Sequence, residues 1–188
     1  MVRWEPDGRG RLEQAALALF GERGFENTTV AEIASRAGLT ERTFFRYFTD
    51  KREVLFSGST MLQELLVDAV VGAPESASAI EAVAAGLDAV GAMFDGRQDH
   101  ARQRQAVIVA SAELRERELI KLATLGAAVA DALGRRGVPA VAATLTAEAG
   151  MAVFRVAFER WVDDAGSAEL QPLLRESLED LRTAIAAP

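Results

Sequence analysis

Cysteine is absent from the 188 residues, and histidine occurs once, at His100. Without thiols there is no disulfide framework, no thiolate zinc site and no cysteine nucleophile. One imidazole excludes any site that needs two, including the paired Glu-x-x-His motifs of di-iron bundles. Aromatics make up only 6%, whereas Ala, Leu and Glu are plentiful, a balance that favours helices over sheets. No apolar run approaches the ~18–20 residues that cross a bilayer. The opening Met1-Val2-Arg3-Trp4-Glu5-Pro6-Asp7 lacks the apolar stretch of a secretory signal. What remains, 49% hydrophobic and 26% charged, suits one large domain or two small ones with a buried core. The expectation is an all-α, soluble, cytoplasmic protein with no membrane partner, no metal and no cofactor.

An overall basic character is also missing, since the net charge is −7. Residues 1–56 carry nine Lys/Arg and nine Asp/Glu, and residues 57–188 carry twelve and nineteen, so the second part holds the whole −7. Between Arg36 and Arg52, five basic residues (Arg36, Arg42, Arg46, Lys51, Arg52) face two acidic ones, Glu41 and Asp50. Such a basic island on an acidic body is compatible with nucleic-acid binding, and equally with a solvated face.

Periodicity supplies about nine helices. Leu12, Ala16, Leu19 and Phe20 make one stripe on a first helix from about Arg9 to Arg23, which Gly24 ends. Thr29 and Glu32 form a capping box for a short second helix that stops at Gly38. Thr40 caps a third, Glu41 to about Phe48. Asp50 is expected to start a fourth that runs to about Val71 as one rigid element, with Gly58 as a flexible point. Ser78 and Glu81 form another capping box; further helices carry Leu87 and Val90, Gln105 and Ile108, and Leu122 to Leu133. Pro139 opens a helix ending near Asp163, and Ser167 opens the last, with a stripe from Leu170 to Ile185. No stretch alternates with period two, and no internal repeat is visible.

The chemistry is concentrated in residues 29–51. Ala34 and Gly38, four apart, are the small residue and turn glycine that a helix-turn-helix needs, and Ile33, Ala37, Leu39 and Phe44 supply apolar pins. A plain helical hairpin has the same minimum pattern. The next helix decides between them: Phe44 and Phe48 share a core face, leaving Arg42, Thr43, Phe45 and Arg46 pointing elsewhere. Arginine reads guanine or bonds phosphate, a ring or Thr methyl touches the thymine methyl, and Glu41 can accept from cytosine.

The pattern Phe20-x-x-Arg23-Gly24-Phe25-x-x-Thr28-Thr29-Val30-x-x-Ile33-Ala34-x-x-Ala37-Gly38, followed by Thr43-Phe44-Phe45-Arg46-Tyr47-Phe48-x-x-Lys51-x-x-Val54-Leu55, resembles the DNA-binding domain of the TetR family of one-component transcriptional regulators. The resemblance covers about a quarter of the chain, residues 9–56. It implies phosphate contacts at Thr29 and Lys51, base-edge contacts from Thr40, Glu41, Arg42 and Thr43 at the start of the recognition helix, and backbone or thymine-methyl contacts from Phe45, Arg46 and Tyr47. Many members carry Tyr-Tyr-His-Phe where this chain has Phe45-Arg46-Tyr47-Phe48, so Arg46 offsets lost hydroxyl and imidazole donors.

By the same resemblance, residues 1–56 are a DNA-binding domain and residues 57–188 a helical ligand-binding and dimerisation domain. The partners implied are a double-stranded, palindromic DNA operator, a small-molecule effector and a second copy docked through the last two helices. The usual outcome is repression. The run Ala149–Phe158 is apolar on nearly every face, which suits a helix buried on one side by its own domain and on the other by a copy, with Gly150 and Ala157 allowing close approach; a central helix of a monomeric bundle has the same pattern. Met61, Leu62, Leu65, Leu87, Val90, Phe94, Ile108, Leu122, Phe154 and Phe158 are expected to line a mostly apolar effector pocket with Gln105 as polar anchor.

Other features carry less. His100 reads as a pH-sensing or ligand-contact residue or as a solvated loop-edge imidazole. Arg102 and Arg104 are two apart and leave a helix in different directions. Met61, Met93 and Met151 suit an adaptable pocket or plain core. Arg3 and Trp4 suit a minor-groove arm or a loose terminus. An enzyme would need a nucleophile–base pair, paired carboxylates or a phosphate loop, none of which the sequence offers. A helical small-molecule carrier or protein-interaction module that uses the helix-turn-helix only for packing remains the alternative. Salt-dependent DNA binding separates the two.

Overall fold

The computed structural model describes residues 8–164, 166 and 169–186, and these form nine α-helices with no strand among them. They are α1 (Gly8–Arg23), α2 (Val30–Arg36), α3 (Glu41–Tyr47), α4 (Ser59–Gly72), α5 (Ala79–Met93), α6 (Gln98–Ala110), α7 (Ala112–Arg135), α8 (Ala140–Asp163) and α9 (Leu170–Ala186). Two compact units result: Met1–Gly58 with Arg102–Leu119, and Ser59–Ala101 with Ile120–Pro188. The division therefore falls inside α6 and again inside α7. Arg3, Trp4 and Ser167 lie outside the described residues.

The first unit is built on the α1 stripe. Leu12, Ala16, Leu19 and Phe20 are buried with Ile33 and Ala34 of α2, Phe44 of α3 and Phe48 just beyond it. Val107, Ile108 and Leu114 join this core from α6 and α7. Each large apolar side chain so buried contributes about 1.5–3 kcal/mol before conformational entropy is counted. Both short helices are capped as the sequence implies. At α2 the Thr29 hydroxyl accepts from the Glu32 N–H at 3.2 Å, and the Glu32 carboxylate accepts from the Thr29 N–H at 2.8 Å. At α3 the Thr40 hydroxyl accepts from the Thr43 N–H at 3.2 Å.

The expected single helix from Asp50 to Val71 does not form. A 3-10 turn spans Arg52–Leu55, and α4 begins only at Ser59. Asp50 caps the turn, its carboxylate accepting from the N–H groups of Arg52 (2.8 Å) and Glu53 (3.1 Å). Across the break Val54, Leu55 and Phe56 are consecutive and all buried. Gly58 lies in the connection that follows.

In the second unit α5 is central. A Cβ on Gly86 would stand 2.6 Å from the Leu66 side chain of α4, one on Gly91 would stand 2.8 Å from the Gln171 backbone of α9, and one on Gly150 would stand 2.5 Å from Val83. Gly150 and Ala157 are therefore both buried within their own unit and do not face a second copy, and at Gly150 it is Val83 of α5 that occupies the space. The exposed positions of α8 instead include Val141, Leu145 and Val156. By length and composition α8 would suffice to cross a membrane, although no uninterrupted apolar run in the sequence approaches that length. Its Val153, Phe154, Ala157, Trp161 and Val162 belong to the core of the second unit.

Candidate nucleic-acid interface and effector region

The helix-turn-helix geometry is complete. Ala34 is 1% exposed at the crossing, and its carbonyl accepts from the Leu39 N–H at 2.8 Å. Gly38 has φ +67°, a left-handed conformation that costs a residue with Cβ about 1–2 kcal/mol. This turn sets the roll of α3. Phe44 is fully buried and Phe48 nearly so, their rings 5.1 Å apart. With that face locked, Thr40, Glu41, Arg42, Phe45, Arg46 and Tyr47 are exposed and Thr43 is half-buried. Phe45, at 55%, is a bare aromatic ring beside two arginines.

Internal pairing thins the basic island. Arg36 forms a two-pronged ion pair with Glu22 at 3.1 and 2.8 Å, which holds Glu22 below the usual carboxylate range and raises Arg36. Arg52 pairs with Asp50 at 2.9 Å and Glu113 at 3.2 Å. Burial pushes Asp50 up, but the Arg52 guanidinium and the Glu53 and Arg52 N–H groups outweigh it and keep the carboxyl low. Arg42, Arg46 and Lys51 are left as the cations of this stretch that have no carboxylate partner among the described residues, and of these Arg42 and Arg46 are exposed. Arg46 is held in place: it donates to the Tyr47 hydroxyl at 3.1 Å and lies 4.9 Å from that ring's centroid.

Two expected phosphate contacts have a different setting. The Thr29 hydroxyl donates to Glu32 at 2.9 Å, and the Thr29 N–H holds Glu32 below the ordinary carboxylate range. Lys51, half-buried, donates to the carbonyls of Phe25 (2.7 Å) and Thr28 (2.9 Å). Nothing local in the sequence signals this, since the partners are 23 and 26 residues away.

The effector candidates divide between the units. Leu87, Val90 and Phe154 are buried in the core of the second unit, with Leu62, Leu65, Phe94, Leu122 and Phe158 packed against it. Phe94 and Phe158 stand 5.6 Å apart, edge to face. Met61 is 61% exposed. Ile108 is fully buried in the other core, in the first unit. Gln105 also lies in the first unit; it donates to Glu118 at 3.4 Å, and its Oε1 is buried without a donor among the described residues. Sequence reasoning missed the ties of residues 102–119 to the first unit. Arg104 donates to the Leu55 carbonyl at 2.8 Å, and burial lowers its pKa against the opposing charge of Glu118. Arg117 pairs with Glu53, and Ser111 donates to Glu26 at 3.2 Å.

A glycine turn that presents an arginine-bearing helix, with a separate helical unit following, is the plan of helix-turn-helix regulators. Comparison with known proteins gives the family. Residues 13–57 match "Bacterial regulatory proteins, tetR family", and residues 77–186 match "MftR C-terminal domain". The chain belongs to the TetR family of bacterial regulatory proteins. It is 35% identical over 89 residues to the HTH-type transcriptional regulator TcmR of Streptomyces glaucescens, a match covering 47% of this chain and 39% of TcmR. The chain thus spans well under half the length of that relative. Its fold is shared with FadR of Bacillus subtilis solved with stearoyl-CoA (TM-score 0.63, 19% identity, 92% and 96% of the two chains). It is shared also with a SmeT–triclosan complex (TM-score 0.67, 19% identity, 95% and 90%); SmeT is the repressor of a Stenotrophomonas maltophilia efflux pump.

Proposed function

We propose that the chain is a cytoplasmic transcriptional repressor that binds a palindromic DNA operator as a homodimer and leaves it when a hydrophobic or amphipathic small molecule binds. The observation that carries this reading is α3: one face is locked into the core by Phe44 and Phe48, and the other offers Arg42, Thr43, Phe45 and Arg46. In this reading Glu41, Arg42 and Thr43, behind the Thr40 cap, meet base edges, and Phe45, Arg46 and Tyr47 meet thymine methyls and phosphates. Residues 1–56 bind DNA and residues 57–188 bind effector and partner copy. The exposed Val141, Leu145 and Val156 of α8 recur at helical spacing and suit the dimer interface formed with α9.

The effector reading rests on the aromatic and aliphatic side chains of the second unit, Leu62, Leu65, Leu87, Val90, Phe94, Leu122, Phe154 and Phe158. Fold relatives were solved with stearoyl-CoA and with triclosan, both largely apolar, and an acyl chain or substituted ring suits the same kind of wall. The test is selection of DNA by the protein from random-sequence fragments, with light scattering on the free protein. A dimer and an inverted-repeat site with half-sites about 34–36 Å apart, or a multiple of it, are expected. A monomer, or selection of no common sequence, would overturn the reading.

A further inference from the structure

The Lys51 ammonium follows the recognition helix by four residues, yet it is turned inward. Its Nζ donates to the carbonyl oxygens of Phe25 at 2.7 Å and Thr28 at 2.9 Å, and it sits 4.0 Å from the centroid of the Phe25 ring. Both carbonyls belong to the loop between α1 and α2. The same loop is held from within by Thr28, which is 1% exposed and donates to the Gly24 carbonyl at 2.9 Å. Thr29, the cap of α2, comes next. On the other side, Asp50 caps the 3-10 turn that Lys51 precedes. Lys51 thus closes a ring: α2 leads through the glycine turn to α3, and Lys51 returns from the end of α3 to the start of α2.

We propose that Lys51 is a positioning residue for DNA recognition, a cation that fixes the angle of α3 against α2 through the Phe25 and Thr28 carbonyls, and not a phosphate contact. An ammonium is a compact point charge with three donors, and here two are spent on backbone acceptors while an aromatic face covers the charge. Charge-assisted bonds to carbonyls are about twice as strong as neutral ones, and leaving them for a phosphate would strip the Thr28 carbonyl of the ammonium and leave the Phe25 carbonyl only its 3.3 Å bond from the Thr28 N–H. Methionine has nearly the same length and no donor. The planar arginine fork keeps the charge but does not fit two carbonyls arranged for a point donor.

The proposal rests on the DNA-binding reading, and its test keeps the two apart. Lys51→Met and Lys51→Arg are compared with wild type, using the DNA fragment that wild type selects, across a salt series well below each melting temperature. Amide exchange is followed in the DNA-free proteins. The expected result for Lys51→Met is faster exchange over residues 25–32, affinity lower by about tenfold or more, and an unchanged slope of log K against log salt. Lys51→Arg should lose the loop protection despite keeping its charge. A slope that falls by about one unit per protomer in Lys51→Met would show a phosphate contact and overturn the proposal. Unchanged affinity in the folded variant, or unchanged exchange, would overturn it too. If Lys51→Met does not fold, Lys51→Arg is judged by exchange and affinity. Should wild type bind no DNA at any salt, the DNA-binding reading fails, and the exchange comparison alone decides whether the clamp exists.

Discussion

The two units are held together by different chemistry. In the first, short helices and turns are tied by polar side chains: Arg36 to Glu22, Arg23 to Glu32, Lys51 to two carbonyls, Arg117 to Glu53 and Arg104 to Leu55. In the second, long helices interlock at glycines: Gly86 with Leu66, Gly91 with Gln171, Gly150 with Val83. The contrast follows from helix length. Helices of seven residues bury too little apolar surface to fix their own angles, so point contacts must do it. Helices of 14 to 24 residues are fixed by close packing along their sides. The first unit should therefore answer to pH and side-chain polarity, the second to volume.

The largest effect is expected where volume is added with no room to yield. Gly91→Ala puts a Cβ 2.8 Å from the Gln171 backbone and should cost about 2–3 kcal/mol in denaturant unfolding, despite alanine's better helix propensity. Gly150→Ala meets a valine side chain that can shift, and should cost less. Equal and negligible losses would remove the interlocking account. Next comes Arg136, a polar tie within the second unit, which donates to the carbonyls of Val71, Ala73 and Pro74 at the end of α4. Arg136→Ala strips the part-buried Ala73 carbonyl of its donor, while water can reach the exposed Val71 and Pro74 carbonyls, and should cost about 1 kcal/mol, with faster amide exchange confined to the α4–α5 connection.

Acid should separate the units. Glu22, Glu32 and Asp50 in the first unit have lowered pKa values in the fold. Their stabilisation is present above the ordinary carboxylate pKa, about 4, and is lost as pH falls through the depressed folded values. Glu81, held low by Ser78, acts likewise in the second unit. Asp50, half-buried beside the Arg52 guanidinium and two N–H groups, is the least screened of the four, so amide protection should fail first around residues 50–56 on descent from pH 5 to pH 2; earlier failure in α5 and α8 would reverse the comparison. The smallest effect belongs to Arg36→Gln, which removes an exposed pair. Its unfolding midpoint should stay within the scatter of wild type, and a loss as large as that of Gly91→Ala would contradict the reading.

How far the sequence could be read follows the same division. Caps are local, so Thr29, Glu32, Thr40 and Ser78 were found from three-residue spacings. Phe44 and Phe48 at i and i+4 gave the buried face of α3 and hence its exposed one. Lys51, Arg104 and Arg117 escaped because each reaches a partner 23 to 64 residues away. The break before α4 escaped because Val54 and Leu55 fall on the same helical stripe as Leu62, Leu65 and Leu66. In α8, apolar on nearly every face, periodicity could not say which side faces α5, so Gly150 and Ala157 were set on the wrong one. Ile108 and Gln105 joined the effector list by helical phase alone, and phase says nothing about which core a helix serves when the division falls within it.

The central claim is that α3 reads DNA through Arg42, and its most direct test is an anisotropy titration of the selected palindrome with wild type and Arg42→Ala over a range of salt. The account predicts wild-type affinity that falls linearly in log–log with salt. It predicts a loss of about 1–3 kcal/mol in Arg42→Ala, with relaxed preference at one base pair per half-site. Salt-independent binding by wild type, or an Arg42→Ala protein that binds the same sequences as tightly, would contradict it.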